Sequence, residues 1–585
     1  MRSQRIKHVL AVVLCVWAVT AAQAAQQAIY VDAAADGAND GSSWADAFVS
    51  LQDGLVAAGG ATEPVEIRVA QGTYKPFENT WSRNATFVVL SGMVLRGGYA
   101  GIAGTDPDAR DISLYPSVLD GFGSSSTDGR SHAVSAVVTA DYTDETTLID
   151  GLAIRGGGVG VAIEAGSPVV SHCTFEESDV DCCLGGSPAI FDCHFDAACL
   201  YVSDCQVSVA RCLFERASLG AVQGGIKGTL IATDCIFREN PNGAICYDGR
   251  LHLDLLRCSF LDNNSGSTIY TAGNVVARRC SFRSNRGDGA LLYADGSDFV
   301  SLTDCEFSEN SARTLLLIDS DVMTVSRCSF VGNTTGYSSC DVLECRATSA
   351  RVSQCLFSGN TCPSGSVISG RGHDLEISNC TFAGNRSQLW TIAGYQEHLT
   401  LTQCICRDGG NLFGGLLGSD ETRRVVTFSN IDGGFEGSGN FDADPVFVQE
   451  GYWADPNNLG TEVGPDVSEA IWVAGDYHLQ SQAGHWDRET EAWVLDERTS
   501  PCIDAGDPNG YLGDERFPNG GYVNLGAYGG TLEASRSYFG KPVCENQLAG
   551  DINGDGIVDE IDIDILLSHW LMDATGPINL PPDVD

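Results

Sequence analysis

A cysteine followed two residues later by a phenylalanine and five residues later by an asparagine recurs along the middle of this 585-residue chain. Successive cysteines are 19 to 27 residues apart, and the three residue types keep their spacing from unit to unit. A short, registered period of this kind is typical of a solenoid, in which each unit adds one coil. The cysteines of the series are Cys173, Cys193, Cys212, Cys235, Cys258, Cys280, Cys305, Cys328, Cys355, Cys380 and Cys404.

Each unit contains short runs in which apolar and polar residues alternate, as they do in half-buried β-strands. Three short strands and three turns would fill one unit, and no unit has an amphipathic run long enough for a helix. We therefore predict a right-handed parallel β-helix. The predicted fold class is all-β, with one small α-helical calcium-loop module at the C-terminus.

A leucine-rich repeat is the competing solenoid, because the segments VSRCSFVGN and ISNCTFAGN fit the spacing of its leucine signature. That fold needs another leucine just after the asparagine and a helical return. Here glycine, serine or threonine follows the asparagine, and the return has the alternation of another strand. The residues therefore favour the β-helix.

Stacking of coils would place equivalent side chains about 4.8 Å apart, so the repeated residues should form ladders. Cysteine and phenylalanine are readily buried, and the phenylalanine rings would stack in a column. Asparagine tolerates a left-handed backbone at a bend, and its amide would bond to the asparagine of the next coil. Representative rungs are Cys235, Phe237 and Asn240, then Cys258, Phe260 and Asn263, then Cys328, Phe330 and Asn333.

Residues 1–24 have the features of a signal peptide, with Arg2, Arg5 and Lys7 before a short apolar core and small residues at the cleavage site. We therefore expect a secreted protein, extracellular or at the cell surface. No other stretch is apolar enough to predict a transmembrane span. The formal net charge of −43 argues against nucleic acid as a partner, because nucleic-acid binding requires basic patches.

Export to an oxidising compartment would normally suggest that the cysteines form disulfides. Stacked cysteines that point the same way meet disulfide geometry poorly, so we predict that the ladder cysteines are buried thiols. Better disulfide candidates are Cys340, Cys345, Cys502 and Cys544, for which the sequence gives no firm pairing.

The segments that flank the repeat carry a family resemblance. SSWADAFVSLQDGL is predicted to be helical at its centre, with Ser43 as the N-cap, and VEIRVAQGTY follows as a strand. These segments resemble the capping helix and first coil of the pectate-lyase-like superfamily, while SPCIDAGDP and NLGAYGG resemble the closing segments of secreted bacterial β-helix proteins. The resemblance implies a cap and first coils over 25–120, a core over 121–430 and closing coils with an irregular segment over 431–540.

The most specific chemical motif is GDINGDGIVDEIDIDILLSHWL, which begins at Gly550. Ca²⁺ prefers six to eight oxygen ligands, and alternate residues of a tight loop direct theirs inward. Gly556 at the sixth position of the loop allows its sharp turn. The predicted calcium ligands are Asp551, Asn553, Asp555, Ile557 through its carbonyl, Asp559 and Asp562.

The calcium loop and the apolar helix after it resemble a dockerin type I repeat, because Asp562 stands where an EF-hand prefers glutamate. The resemblance implies a dockerin-like module over 545–585 that binds Ca²⁺ and a cohesin-like protein. Dockerins generally carry two such repeats, whereas this chain has one.

The sequence leaves the activity open. The turn RGHD from Arg371 to Asp374 resembles the Gly-His-Gly of polygalacturonase-like hydrolases, but we interpret His373 as a surface turn residue and find no paired aspartates at matching register. No catalytic residue is therefore assigned. The resemblance implies a protein that binds or degrades polysaccharide, as a lyase or a glycoside hydrolase if it is an enzyme. The alternative is a non-catalytic cell-surface or adhesion scaffold.

Overall fold

The computed structural model describes residues 27–61, 64–77, 82–123, 133–247, 249–264, 266–336, 340–372, 374–394, 398–409, 412–414, 424–464, 467 and 469–537. The chain divides into two compact units. Unit 1 contains the described residues up to Glu306 together with Asn310–Asp321, and unit 2 contains Phe307–Glu309 and the described residues from Val322 onward. The signal peptide, the calcium loop and its dockerin-like module, His373 and Cys544 lie outside the described residues.

Each unit is a parallel β-helix whose coils contribute three strands. In the coils that carry the ladders, the leading strand ends just before the cysteine, the phenylalanine strand carries the phenylalanine and the trailing strand follows the asparagine. Strands of the other coils belong to the ribbon with whose strands they pair. Each strand pairs in parallel with the equivalent strand one coil away, so hydrophobic positions repeat in register and line the interior. The prediction of an all-β parallel solenoid is therefore confirmed.

In unit 1 the leading ribbon begins at the edge strand Gln27–Val31. The other leading strands are Val65–Ala70, Met93–Tyr99, Leu148–Asp150, Val169–Ser171, Ala189–Phe191, Gln206–Ala210, Lys227–Thr233, Arg250–Leu256 and Val275–Arg278. The phenylalanine ribbon comprises Gly72–Tyr74, Ser117–Asp120, Ala153–Arg155, Thr174–Glu176, His194–Asp196, Leu213–Glu215, Ile236–Arg238, Ser259–Leu261 and Ser281–Arg283. The trailing ribbon comprises Phe87–Val88, Ala136–Thr139, Val159–Glu164, Asp179–Cys183, Leu200–Ser203, Val222–Gly224, Ile245–Cys246 and Ile269–Thr271, and the long strand Ala290–Thr303 continues from trailing into leading ribbon. Ser311–Ala312 is a short strand.

Unit 2 repeats the pattern and closes it with antiparallel strands, while Glu306–Ser308 and Thr314–Ser326 contain residues of both units. Its leading strands are Ser349–Ser353, Asp374–Ser378, His398–Thr402 and Arg424–Thr427, and its phenylalanine strands are Ser329–Val331, Leu356–Ser358, Thr381–Ala383, Ile405–Arg407 and Asn430–Ile431. Its trailing strands are Leu343–Cys345, Ile368–Gly370, Ile392–Gly394 and Phe413–Gly414, with Thr334–Thr335, Thr361–Cys362 and Arg386–Ser387 at the asparagine turns. The antiparallel pairs are Phe447–Gln449 with Asp476–Leu479, Tyr452–Asp455 with both Asn458–Glu462 and Ile471–Val473, and His485–Asp487 with Ala492–Val494.

The three residue types form continuous ladders inside each unit. Phe237 and Phe260 stack with their ring centroids 4.9 Å apart and their planes 5° apart. Asn240 Nδ2 donates to Asn263 Oδ1 at 2.9 Å and to a phenylalanine carbonyl at 3.2 Å, so each buried amide is satisfied by its neighbours. Cys258 is 1% exposed, and its Sγ donates to the Leu256 carbonyl at 3.6 Å.

The same arrangement holds in unit 2, where Phe330 stacks between the rings of Phe307 and Phe357. Asn333 Nδ2 donates to Asn360 Oδ1 at 2.9 Å. Cys328 is buried, with its Sγ 3.4 Å from the Ser326 carbonyl. Close stacking of identical side chains therefore accounts for the fixed spacing of the repeat.

Three expectations about detail are wrong. The left-handed backbone does not fall on the asparagine but on the residue before it and on the residue before the cysteine, as at Asp262 and Arg257 with φ of 51° and 53°. No described cysteine forms a disulfide, so Cys340, Cys345 and Cys502 carry thiols. The N-terminal helix spans Leu51–Gly59, and Ser43 instead hydrogen-bonds Asp46 in a preceding turn.

The outer face of the phenylalanine ribbon differs between the units. In unit 1 its outward positions carry charged residues such as Glu176, Asp196 and Glu215. In unit 2 they carry Leu356 and Ile405. The closing segment, which comprises the described residues from 432 onward, buries them through Phe447, Tyr477 and Leu525, among others. The described residues contain no helix with the length and apolar character needed to cross a bilayer.

Candidate functional site

Two histidines lie on neighbouring coils of unit 1, each bonded to a carboxylate. His172 is the left-handed turn residue before Cys173, with φ of 50°, and His194 opens the next phenylalanine strand. We call the surface formed by Asp150, His172, Asp192, His194 and Glu215 the histidine face. Its residues come from consecutive coils, so the stacking of the β-helix brings them together.

The His172 ring is held by a buried carboxylate. Its Nδ1 lies 2.9 Å from Oδ1 of Asp150, whose side chain is 8% exposed. This contact orients the ring, with Nδ1 toward the Asp150 carboxylate and Nε2 on the side away from it. The side chain of His172 is 48% exposed, so this oriented imidazole is open to a ligand.

Asp150 also holds groups that could bind an anion. Arg110 Nη2 donates to Asp150 Oδ2 at 2.7 Å, and Ser171 Oγ donates to Oδ1 at 2.7 Å. Arg96 Nε lies 3.9 Å from the same carboxylate, which is too far for a hydrogen bond, and Arg96 Nη1 lies 3.6 Å from Oε1 of Glu66. Two guanidinium groups, each about 30% exposed in the side chain, therefore lie against the carboxylate that orients His172.

A second carboxylate faces the other nitrogen of the ring. Asp192 Oδ2 lies 3.8 Å from His172 Nε2, beyond hydrogen-bond range. Arg211 binds both oxygens of Asp192, at 2.7 and 2.6 Å, in a two-pronged pair. Arg211 therefore engages this carboxylate, and Nε2 of His172 makes no hydrogen bond with it.

His194 belongs to a more closed arrangement. Its Nε2 lies 3.0 Å from Glu215, which also accepts from Arg238 Nε at 2.6 Å and pairs with Arg216 at 3.0 Å. Burial alone would raise the pKa of Glu215, but the bonds from Arg238 and His194 and the charge of Arg216 outweigh it and lower the pKa. Glu215 is therefore held as a carboxylate and is unsuited to donate a proton.

Carboxylates occur at matching register in the phenylalanine ribbon of unit 1, although they are not the paired aspartates of polygalacturonase-like hydrolases. Asp196 pairs with Glu176 on one side and with Glu215 on the other, so three acidic side chains follow one another across neighbouring strands. Their backbones are about 4.8 Å apart. The signal was present in the sequence, because each acid stands three residues after its ladder cysteine.

The histidine face was likewise not predicted from the sequence, because its contacts also join different coils. His172 stands one residue before a ladder cysteine and His194 one residue after the next, so the residues that they contact lie about one coil away along the chain. The predicted ladder residues form the interior of the coils. The predicted calcium ligands lie outside the described residues, and within those residues no group of three or more His, Cys, Asp or Glu side chains is placed to hold a metal.

Comparisons with known proteins agree with the class of fold. Residues 186–330 and 291–438 match the family model described as the right handed beta helix region. This match covers less than half of the chain and agrees with the parallel β-helix that the structure shows for the described residues of 186–438. A search of curated proteins found no match.

Among solved structures, the chain is similar to pectate lyase Pel9A at 13% identity, over 87% of this chain and 97% of that chain, with a TM-score of 0.25. It is also similar to a rhamnogalacturonan lyase at 10% identity, over 75% of this chain and 93% of that chain, with a TM-score of 0.18. At TM-scores this low, neither likeness bears on the activity of this chain.

Proposed function

We propose that this protein is exported and binds or degrades extracellular polysaccharide, with the histidine face as the surface that contacts the substrate. The observation that supports this most is the bond between His172 Nδ1 and the buried Asp150, which leaves an exposed, oriented base beside two arginines. A residue with no role beyond surface solvation would not need a buried carboxylate to fix its ring.

The geometry suits proton abstraction from an acidic sugar. Nε2 of His172 would take the proton from the carbon next to a uronate carboxylate. The bond from the adjacent carbon to the glycosidic oxygen would break as a carbon–carbon double bond forms, and the departing oxygen would take a proton from water. Arg96 and Arg110 would donate to the uronate carboxylate with the guanidinium N–H groups that Asp150 does not engage, and so stabilise the spreading negative charge. The planar guanidinium group pairs well with carboxylates, and this pairing would hold the sugar ring against the base. An acidic polysaccharide is therefore the proposed substrate, and elimination the proposed reaction.

A panel of acidic polysaccharides tests this proposal, with products measured both as reducing ends and as unsaturated sugars. Elimination yields both signals in equal amounts, whereas hydrolysis yields reducing ends alone. We expect unsaturated products from at least one uronate-containing polymer. If the protein releases no product from any of these polymers, the result would support the non-catalytic scaffold instead. The closed ion cluster around Glu215 is compatible with that alternative.

We also propose that the C-terminal module binds Ca²⁺ through Asp551, Asn553, Asp555, Ile557, Asp559 and Asp562, and that it docks to a cohesin-like protein. The support is the order of oxygen-bearing residues in the loop. Calorimetry with the full chain should show one calcium site that the double variant Asp551→Ala/Asp555→Ala lacks. No difference in heat between the two proteins would refute the ligand assignment.

A further inference from the structure

An open groove lies in unit 2, on the outer face of the leading ribbon. It has a volume of about 330 Å³, near the lower limit of ligand pockets, which is roughly 300 Å³. Its polar lining comes from Thr324, Arg351, Asp374, Glu376, His398 and Thr400. We propose that this groove binds an uncharged polysaccharide, at a site separate from the histidine face.

The register of the strands arranges the lining in two rows. Ser349, Asp374 and His398 are paired from strand to strand in one row. Arg351, Glu376 and Thr400 form the other row in the same way. Since neighbouring strands are about 4.8 Å apart, each row offers hydrogen-bonding groups at a constant interval, which suits a ligand that is itself a regular polymer.

The floor of the groove is apolar and fixed. Residues that alternate with the two rows point inward, so Ala350 and Leu375 are 3% and 2% exposed and Met323 is 1% exposed. Val352 and Ile377 continue this buried layer without any exposure. Because the supporting core is densely packed and ordered, the polar rows need little rearrangement to receive a ligand.

A third row carries hydroxyl groups alongside the groove. Ser353, Ser378 and Thr402 are paired in register, and Thr427 Oγ1 donates to Thr402 Oγ1 at 3.2 Å. All four side chains are partly exposed. Hydroxyl groups both donate and accept, as sugar hydroxyls do, so this row extends a surface suited to a glycan chain.

The charges of the groove argue against an anionic ligand. Arg351 donates to Glu376 Oε2 through Nε at 3.0 Å and through Nη2 at 2.7 Å, so its positive charge is already matched. Asp374 is exposed and adds a second carboxylate. A polymer rich in uronates would therefore be repelled here, whereas an uncharged polymer would not.

The closing segment leaves the leading ribbon of unit 2, and so the groove, uncovered. The closing segment covers the outer face of the phenylalanine ribbon, where Ser358 Oγ donates to the Tyr477 hydroxyl at 2.9 Å. Pairs of this kind hold the closing segment on that face. The leading ribbon keeps exposed side chains at Arg351, Asp374 and His398.

Calorimetric titration of the full chain with cellohexaose, xylohexaose, mannohexaose and hexagalacturonate tests the inference. We expect at least one uncharged hexasaccharide to bind, and its affinity to fall about tenfold or more in Arg351→Ala/Glu376→Ala. This variant should fold, because its side chains are 62% and 43% exposed and an exposed ion pair contributes little to stability.

The matched control is Asp234→Ala/Arg257→Ala, which removes an exposed ion pair of unit 1 with a 2.6 Å contact. It should leave the affinity for the uncharged hexasaccharide within about twofold, as should His172→Ala. The inference is overturned if no uncharged hexasaccharide binds, or if Asp234→Ala/Arg257→Ala weakens binding as much as the groove variant does. It is also overturned if the groove variant weakens the binding of hexagalacturonate and leaves that of the uncharged hexasaccharide unchanged. If the wild-type protein cleaves no acidic polymer but still binds an uncharged hexasaccharide in the groove, that result counts against the role of the histidine face and not against the groove.

Discussion

Nδ2 of Asn385 lies 3.0 and 3.1 Å from the two carboxylate oxygens of Asp408, so the asparagine ladder of unit 2 ends on an acidic residue. Thr391 Oγ1 also donates to this carboxylate, at 3.3 Å. Burial raises the pKa of Asp408 to about 6, although the bonds from Asn385 and Thr391 oppose this rise. The end of the ladder is therefore sensitive to pH.

Replacing Asp408 by Asn should remove that sensitivity. Because the folded-state pKa lies above the ordinary value of 3.8, Asp408 contributes most to stability below pH 4, and this contribution is lost as the pH rises through 6. Relative to wild type, Asp408→Asn should gain about 1–2 kcal/mol in free energy of unfolding between pH 4 and pH 7. Urea unfolding of both proteins at the two pH values measures this, and a difference that does not change with pH would contradict the assignment.

The adjacent residues Asn263 and Asn264 provide a matched test of the ladder. Asn263 is fully buried and accepts from Asn240, while Asn264 is exposed. Asn263→Ala would leave a buried amide donor unsatisfied, so it should lower the free energy of unfolding by about 1–3 kcal/mol. Asn264→Ala should change it by less than about 0.5 kcal/mol, as is usual at the surface. Equal effects in urea unfolding would show that the ladder does not stabilise the coils.

Glycines of the asparagine turn accommodate a tryptophan of the closing segment in unit 2. A Cβ on Gly359 would lie 2.1 Å from the Trp472 indole, whereas a Cβ on Gly332 would be no nearer than 3.8 Å. Both glycines have nearly the same φ, 62° and 63°, so alanine strains the backbone equally at each.

Gly359→Ala should therefore displace the Trp472 indole, whereas Gly332→Ala should not. We expect a red shift of the tryptophan fluorescence in Gly359→Ala but not in Gly332→Ala. The free energy of unfolding should fall by about 1 kcal/mol more in Gly359→Ala than in Gly332→Ala. The shift should disappear when Trp472→Phe is combined with Gly359→Ala. Identical spectra and stabilities of the two alanine variants would contradict the packing described here.

The sequence was enough to predict the solenoid, because its core consists of repeated contacts between like residues. Phe237 and Phe260 need the same spacing in every coil in order to stack, and that requirement is visible as a period. The left-handed turns were misplaced because they fall on residues such as Arg257, whose type does not indicate positive φ. Stacking between coils overrides the local preference there.

The candidate site was harder to predict because its contacts join different coils. Asp150 and His172 are separated by 22 residues, and their pairing follows from the register of two strands rather than from a local motif. Glu215 and Arg238 meet in the same way. Outward positions have no common residue type, so only their offsets from the ladder cysteines show which ones become neighbours.

The role of His172 is tested most directly by the rate at which unsaturated products form from a uronate polymer. Substituting His172 by Ala removes the proposed base, so the rate should fall by about 10²-fold or more. The control His252→Ala changes another exposed histidine of unit 1 and should keep the wild-type rate. Unsaturated products formed by His172→Ala at the wild-type rate would contradict the proposed role of the histidine face.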